Sequence, residues 1–306
     1  MLRVPTCFVE DPPMLSLCLA ALLTFPATDL VLKDGDRIVM VGGALIEREQ
    51  LYGRVEVMLH SMFPDKKFTV RNLGWSGDTV WGEARAEFGT QAEGYKKLVE
   101  QVKAEKPTVL ILAYGTNEAF AGKAKVEKFA NQYRQLLADV AQPDTRCIFL
   151  SIPTPKLAKV IPSFAQPEYD AAIKTLAKER DGTVVDINQL YQPTDSRTLT
   201  EEGILPNELG YQTLARMIEK QLDSFERHSI VNSHDTKMNR PKDPESLRQL
   251  ILQKNQLYFY KYRPANDTYL FLFRKHEQGN NAKEIPQFDP LIAELDAKII
   301  EMKKQK

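Results

Sequence analysis

The feature that most constrains this chain is an apolar run, residues 38–41, that meets the glycine pair Gly42-Gly43 and continues into an amphipathic segment from Leu45. A buried parallel strand that turns sharply into a helix has this pattern. In open α/β sheets the ligand binds at the carboxyl ends of the strands, where such turns lie. The residue after the glycines therefore faces the predicted site. Here it is Ala44, which carries no reactive group.

The same alternation recurs along the chain. Further apolar runs predict strands at 68–73, 108–113, 147–151 and 183–187. Segments of helical periodicity lie between and after them, at 45–62, 95–104, 125–140, 168–180 and 207–225. Short connections between alternating strands and helices predict a three-layer, doubly wound α/β domain. We expect a mostly parallel, five-stranded sheet with a flavodoxin-like strand order.

The flanking regions differ from this domain, which we assign to residues 29–228. Residues 15–25 are an apolar run that is too short to span a bilayer but typical of a secretion signal, so 1–28 is predicted to be an export signal. The alternative is a hydrophobic N-terminal strand or arm. Residues 229–306 are predicted to be a polar linker and a helical extension, which closes with apolar residues at helical spacing.

Composition excludes several functions. Lys+Arg and Asp+Glu both number 41, so a neutral chain gives no reason to expect nucleic acid or an anionic membrane as a partner. The three cysteines, Cys7, Cys18 and Cys147, have neither disulfide-framework nor metal-site spacing. We therefore predict no metal and no cofactor, and we interpret Cys147 as a core residue.

Four polar loops follow the predicted strands and carry the functional information. They are Gly42-Gly-Ala44, Asn72-Leu-Gly-Trp-Ser-Gly-Asp-Thr79, Gly115-Thr-Asn-Glu118 and Thr200-Glu-Glu-Gly-Ile-Leu-Pro-Asn207. In this order, over about residues 36–225, they resemble the blocks of the SGNH hydrolase (GDSL esterase) family. The resemblance implies the α/β fold predicted above and an ancestry among ester hydrolases.

The resemblance also implies a role for each position. The family's nucleophilic serine is replaced by Ala44 and its histidine base by Leu205, while Glu202 falls on the acid. Gly74 and Asn117 match the glycine amide and the asparagine that bind the oxyanion. Acyl transfer needs a nucleophile and a base within hydrogen-bond reach of it. The family pattern therefore predicts that the oxyanion-binding half is kept and the proton-handling half is lost.

The remaining candidates are side chains near these loops. Trp75, Ser76, Asp78, Glu118 and Asn207 are predicted ligand contacts. Ser76 and Asp78 also have a structural interpretation, which we favour: their hydrogen bonds would fix the loop. Trp75 and Trp81 would either stack on a sugar or pack beneath the loop.

The four histidines give one more candidate. His276 is a possible substitute base if the extension folds over the sheet edge, and otherwise a solvated or interface histidine. His60, His228 and His234 are interpreted as surface residues.

Three functions remain open. The first is an exported, catalytically impaired family member that binds a small molecule, either a carbohydrate or an acylated glycan, without membrane insertion. The second is an active ester hydrolase with a rebuilt site that uses Glu202, His276 and either Ser76 or Thr116. The third is a structural protein whose C-terminal aromatic and amphipathic segments bind a partner. Because the rim of the site is polar, we predict an open cleft floored by Ala44 rather than one filled by Leu205. The oligomeric state is not predicted.

Overall fold

The computed structural model describes residues 32–155, 160–191, 196–229, 241–264 and 282–304. The predicted export signal, most of the predicted linker, His234 and His276 lie outside the described residues, as does the side chain of His228.

Five strands form one parallel sheet in the order β2-β1-β3-β4-β5. They are β1 Asp36–Gly42, β2 Phe68–Asn72, β3 Val109–Ala113, β4 Arg146–Leu150 and β5 Thr183–Val185. Met40 of β1 lies opposite Asn72 on one side and Ile111 on the other. The predicted fold and strand order are confirmed. The order reverses between β1 and β3, where a doubly wound sheet opens a crevice for a ligand.

Helices cover both faces of the sheet. Their bounds are α1 Ala44–Glu49, α2 Arg54–Met62, α3 Gln91–Ala104, α4 Val126–Val140, α5 Gln166–Glu179, α6 Ser196–Leu199, α7 Glu208–Ser229, α8 Pro244–Tyr262 and α9 Phe288–Met302. Because strand side chains alternate between faces, β1 contributes Val39 to one core and Met40 to the other. Leu98 of α3 packs in the first core and Leu59 of α2 in the second. No helix in the described part of the chain is long and apolar enough to cross a bilayer.

The single helix predicted for residues 45–62 is wrong, because the segment is divided between α1 and α2. α1 ends at Glu49, and Gly53 precedes α2 with φ of 64°, a left-handed conformation that turns the chain between the two helices. The corner is fixed by Glu49, whose carboxylate Oε1 accepts the Val55 N–H at 2.6 Å.

The interpretation of His60 as a surface residue is also wrong. Its side chain is buried on α2 and stacks on Phe68 with ring centroids 4.4 Å apart. Burial lowers the pKa of His60 to about 4, against the opposing effect of Glu56, so the imidazole is neutral. The C-terminal extension helps to bury His60, because Lys303 Nζ lies 3.2 Å from the Nδ1 atom of His60.

The C-terminal helices pack against α2 and β2 of the same chain. Lys254 of α8 is buried, pairs with Glu56 and donates to the Val70 carbonyl at 3.1 Å. Arg71 of β2 pairs with Asp296 of α9 at 2.5 Å. The extension thus covers an edge of the sheet, and Tyr258 in its aromatic cluster is buried within the chain.

Candidate functional site

A cleft of about 250 Å³ opens at the carboxyl edge of the sheet, beside the ends of β1 and β3. Its walls come from the turn after β1, the loops after β3 and β4, and a hairpin of β6 Thr200–Glu201 and β7 Leu205–Pro206. Its apolar lining includes Ala44, Leu45, Phe120, Tyr191, Ile204 and Leu205, and its polar lining Asp78, Thr116, Asn117 and Glu118. The prediction of an open cleft bordered by Ala44, and not filled by Leu205, is confirmed.

The turn after β1 brings Ala44 into the cleft because its glycines allow close packing. A Cβ added at Gly42 would lie 2.6 Å from the Ala113 carbonyl oxygen of the neighbouring strand, so only glycine fits there. Gly43 lies beside the other site loops: a Cβ there would be 3.5 Å from Asn117 Nδ2. Ala44 then begins α1 and contributes only a methyl group.

Asn117 follows β3 and occupies the place that the sequence predicted. It is exposed, lines the cleft and donates from Nδ2 to the Asp78 carbonyl oxygen at 2.9 Å. A primary amide has two N–H bonds. One is used to hold the Asp78 backbone, and the other makes no hydrogen bond to another described residue.

Gly74 does not fulfil its predicted role. Its N–H donates to Asn72 Oδ1 at 2.9 Å, the glycine is buried, and it does not line the cleft. A Cβ at Gly74 would come within 2.1 Å of the Glu47 nitrogen, so glycine is required here for packing against α1. The family-like spacing identified the loop correctly, but this amide is not a free oxyanion donor.

The hairpin carries the positions predicted for the base and the acid. Leu205 lines the cleft and contributes only apolar surface. Glu202 lies in the hairpin loop with φ of 54°, is exposed and does not line the cleft. Its neighbour Glu201 ties the hairpin to α1 through a 2.7 Å ion pair with Arg48. Of these two positions, Leu205 lines the cleft and Glu202 does not.

Trp75 and Ser76 stabilise the loop after β2. Trp75 is buried beneath this loop, with the Arg263 guanidinium carbon 4.3 Å from the centroid of its ring. The Ser76 hydroxyl donates to Glu47 Oε1 at 2.7 Å, and its N–H donates to Oε2 at 2.8 Å. Neither residue lines the cleft, so the structural interpretation of each fits its surroundings better than ligand contact.

Asp78 is the counter-ion of a buried arginine. Its Oδ2 accepts from Arg85 Nε at 2.8 Å and from the Tyr114 hydroxyl at 3.0 Å. Arg85 also donates to the Leu73 carbonyl at 2.7 Å, and both charged side chains are fully buried. Oδ1 of Asp78 has no partner among the described residues. The pair fixes the loop after β2 against the domain.

Glu118 lines the cleft from the loop after β3. Its two oxygens accept the Val80 N–H at 2.9 Å and the Gly115 N–H at 2.8 Å. Burial raises the pKa of Glu118 to about 7, although these N–H groups favour its charged form. Glu118 thus joins the loops that carry Val80 and Asn117.

The last candidate, Asn207, caps a helix. Its Oδ1 accepts the Gly210 N–H at 2.9 Å at the start of α7, and its Nδ2 donates to the Thr198 carbonyl at 2.7 Å. Asn207 does not line the cleft. Of the rebuilt hydrolytic site, only Thr116 lines the cleft, and His276 lies outside the described residues.

Sequence analysis missed Tyr262 and Arg263, at the end of α8. The Tyr262 hydroxyl donates to the Gly74 carbonyl at 2.7 Å, and Arg263 pairs with Glu47, the residue that holds Ser76. These residues fasten the loop after β2 from outside. They lie almost 190 positions from that loop, so no local spacing pointed to them.

Comparisons with known proteins agree with this fold. Residues 40–213 match the model of the GDSL-like lipase/acylhydrolase family. No curated relative matches the sequence significantly. A GDSL-like lipase structure from Parabacteroides merdae superposes with a TM-score of 0.50 and 18% identity, over 64% of this chain and 99% of that one. A gut microbial diltiazem-metabolizing enzyme superposes with a TM-score of 0.52 and 13% identity, over 91% of this chain and 97% of that one. At these identities the likeness concerns the fold.

Proposed function

The chain belongs to the GDSL-like lipase/acylhydrolase family, and we propose that it is a non-hydrolytic member that binds an acylated glycan, with the acyl group in the cleft. The observation that carries the proposal is the pairing of Ala44 and Leu205 with Asn117 around one open cleft. The first two cannot perform acyl transfer, and the third still offers a hydrogen-bond donor.

The lining of the cleft fits an acyl group. Leu45, Phe120 and Ile204 provide apolar surface for a short hydrocarbon chain, which gains about 0.8 kcal/mol per buried CH₂ group. The free N–H of Asn117 is available to donate to the ester carbonyl. Such a pocket, mostly apolar with a few placed polar groups, is typical of small-molecule sites.

The described lining of the cleft lacks the reacting groups that ester hydrolysis requires. Among the described residues that line the cleft there is no histidine and no serine, and Asp78 and Glu118 already accept hydrogen bonds. Thr116 offers a hydroxyl without a base to remove its proton. Acylated ligands should therefore remain intact when they are bound.

Two measurements test the proposal. Incubation with p-nitrophenyl acetate and p-nitrophenyl butyrate should release no product beyond the background rate. Turnover at about 1 s⁻¹ or more, as enzymes show, would refute the non-hydrolytic assignment. Binding is measured by saturation-transfer NMR with butyl acetate and an acetylated methyl glycoside, both of which should bind.

The matched variants are Asn117→Ala and Asn131→Ala. Asn117→Ala should weaken binding of both probes by about 1–2 kcal/mol, because a hydrogen bond to the carbonyl is lost. It should lower the melting temperature only modestly, through loss of the bond to the Asp78 carbonyl. Asn131 is an exposed amide of α4 outside the cleft, so its removal should not alter binding. Equal affinities in the two variants would contradict the role given to Asn117.

We also propose that the protein acts outside the cytoplasm, on the basis of the apolar run at 15–25. The N-terminal sequence of the mature protein should then begin near residue 29. A mature protein that retains residues 1–28 would contradict export by this signal.

A further inference from the structure

A second pocket of about 280 Å³ adjoins the cleft and shares Asn117 and Glu118 with it. We call it the Trp81 pocket. It lies between the loop after β2, the start of α3 and the start of α4. Its other lining residues are Thr79, Trp81, Glu83, Gln91, Ala121, Lys125, Lys128 and Tyr169. Both spaces border Asn117 and Glu118, so a ligand of modest length that crosses these two residues would contact both.

Hydrogen bonds fix the backbone segment that carries the Trp81 side chain. The Val80 N–H donates to Glu118 at 2.9 Å, and Gln132 donates to the Val80 carbonyl at 3.3 Å. The backbone N–H of Trp81 donates to Thr79 Oγ1 at 3.2 Å. The side chain is half-buried and lines the pocket. A partly exposed aromatic ring on a fixed segment costs little conformational entropy when a ligand packs against it.

Polar groups surround this ring. Glu83 is exposed, and its carboxylate accepts from the Thr79 hydroxyl at 2.8 Å and from Gln91 Nε2 at 3.2 Å. A carboxylate has about four lone-pair positions, so it can accept further hydrogen bonds from a ligand. Lys125 and Lys128 add ammonium donors on the α4 side, and Lys128 Nζ lies 5.4 Å from the centroid of the Trp81 ring.

This combination matches the chemistry of a pyranose. One face of a sugar ring presents C–H groups, which gain dispersion contacts against an aromatic surface. Its rim presents hydroxyls, each of which both donates and accepts. The Trp81 pocket provides an aromatic surface, a carboxylate acceptor and amide and ammonium donors.

We propose that the Trp81 pocket binds the sugar ring of the acylated ligand whose acyl group occupies the cleft. The assignment of one ligand to both spaces rests on the proposed function. The Asn117–Glu118 wall would then lie where the ester joins sugar and acyl group. The sugar assignment itself depends only on the residues of the Trp81 pocket.

Fluorescence provides the test, because the chain has two tryptophans. In Trp75→Phe, whose fold is checked by thermal unfolding, Trp81 is the only reporter. Methyl glucoside, methyl galactoside and methyl xyloside are titrated separately, together with butyl acetate as an acyl-only probe. At least one glycoside should change the Trp81 emission saturably, and its monoacetylated form should bind at least tenfold more tightly. No saturable response to any glycoside would overturn the inference.

Variants of the full chain locate the binding. By saturation-transfer NMR, Trp81→Ala should weaken glycoside binding at least fivefold, whereas Trp81→Phe should retain most of it. Gln91→Ala, at an exposed position, provides a second test if Trp81→Ala does not fold. It should weaken the binding of glycosides but not the binding of butyl acetate. Glycoside affinity that is unchanged by Gln91→Ala, and by Trp81→Ala where that variant folds, would overturn the inference.

The same data separate this inference from the proposed function. Binding of butyl acetate without any glycoside response at Trp81 would support the cleft and overturn the sugar pocket. A Trp81-dependent glycoside response without binding of any acylated probe would support the sugar pocket and refute the proposed function.

Discussion

The substitution Glu49→Gln should stabilise the protein at neutral pH. Glu49 ends α1, the helix that begins at Ala44, and its side chain is 3% exposed. One oxygen accepts the Val55 N–H, and Oε2 has no partner among the described residues. Burial raises the pKa of Glu49 from 4.5 to about 8, and the nearby Glu56 carboxylate adds to the increase.

The size of the effect follows from proton linkage. Between pH 4.5 and pH 8 the folded protein keeps a proton on Glu49 that the unfolded chain releases. The free energy of unfolding therefore falls as pH rises through this range. At about 1.4 kcal/mol per pH unit, the loss between pH 4.5 and pH 7 is about 3 kcal/mol. Glutamine keeps an acceptor for Val55 and has no proton to release, so it avoids this loss.

Urea denaturation followed by circular dichroism measures the effect. Glu49→Gln should match the wild type near pH 4.5 and exceed its free energy of unfolding by about 3 kcal/mol at pH 7. The control is Glu100→Gln, an exposed residue of α3 that lies 3.8 Å from Lys96. Surface pairs of this kind contribute less than about 1 kcal/mol, so the control should change little at any pH. A stability difference for Glu49→Gln that is the same at pH 4.5 and pH 8 would refute the raised pKa.

Two further predictions concern the site itself. Ala44→Ser should remain inactive toward p-nitrophenyl acetate because a serine without a base keeps its proton. Adding Leu205→His should give weak hydrolysis at most, since Glu202 is exposed and no hydrogen bond to another described residue holds it toward position 205; a rate typical of enzymes would contradict this. Asp78→Ala should lower the free energy of unfolding by about 3–5 kcal/mol, because Arg85 would keep a buried charge without a counter-ion. A loss below about 1 kcal/mol in urea denaturation would show that the pair is not needed for stability.

Local sequence patterns were sufficient to predict the fold and the bottom of the cleft. The apolar strands and short connections predicted the parallel sheet, and right-handed crossovers favoured its strand order. Ala44 and Asn117 each follow a strand, and parallel strands end at the same edge, so their meeting was predictable. Leu205 reaches the same cleft on a hairpin after the sheet.

Other features depended on contacts that no local pattern contains. Spacing identified Gly74 but could not reveal that the Asn72 side chain takes its N–H. His60 is buried because Lys303, 243 positions away, lies over it. Spacing also assigned the acid to Glu202, but it could not show that this residue is exposed on the hairpin loop.

The polar rim of the cleft, which at first favoured ligand binding, has a different explanation in the structure. Asp78 neutralises Arg85, and Glu118 accepts two backbone N–H groups. These residues would be retained for stability even if the cleft had no ligand, because removing one partner leaves a buried group unsatisfied. Support for a ligand therefore depends on groups without such a duty: the second N–H of Asn117 and the part of Trp81 that lines its pocket. Asn117→Ala also removes the hydrogen bond to the Asp78 carbonyl, and Trp81→Ala removes a ring that packs against the core, so each should cost some stability. Weaker ligand binding by a variant that stays folded at the assay temperature distinguishes a working site from a structural framework around an empty cleft.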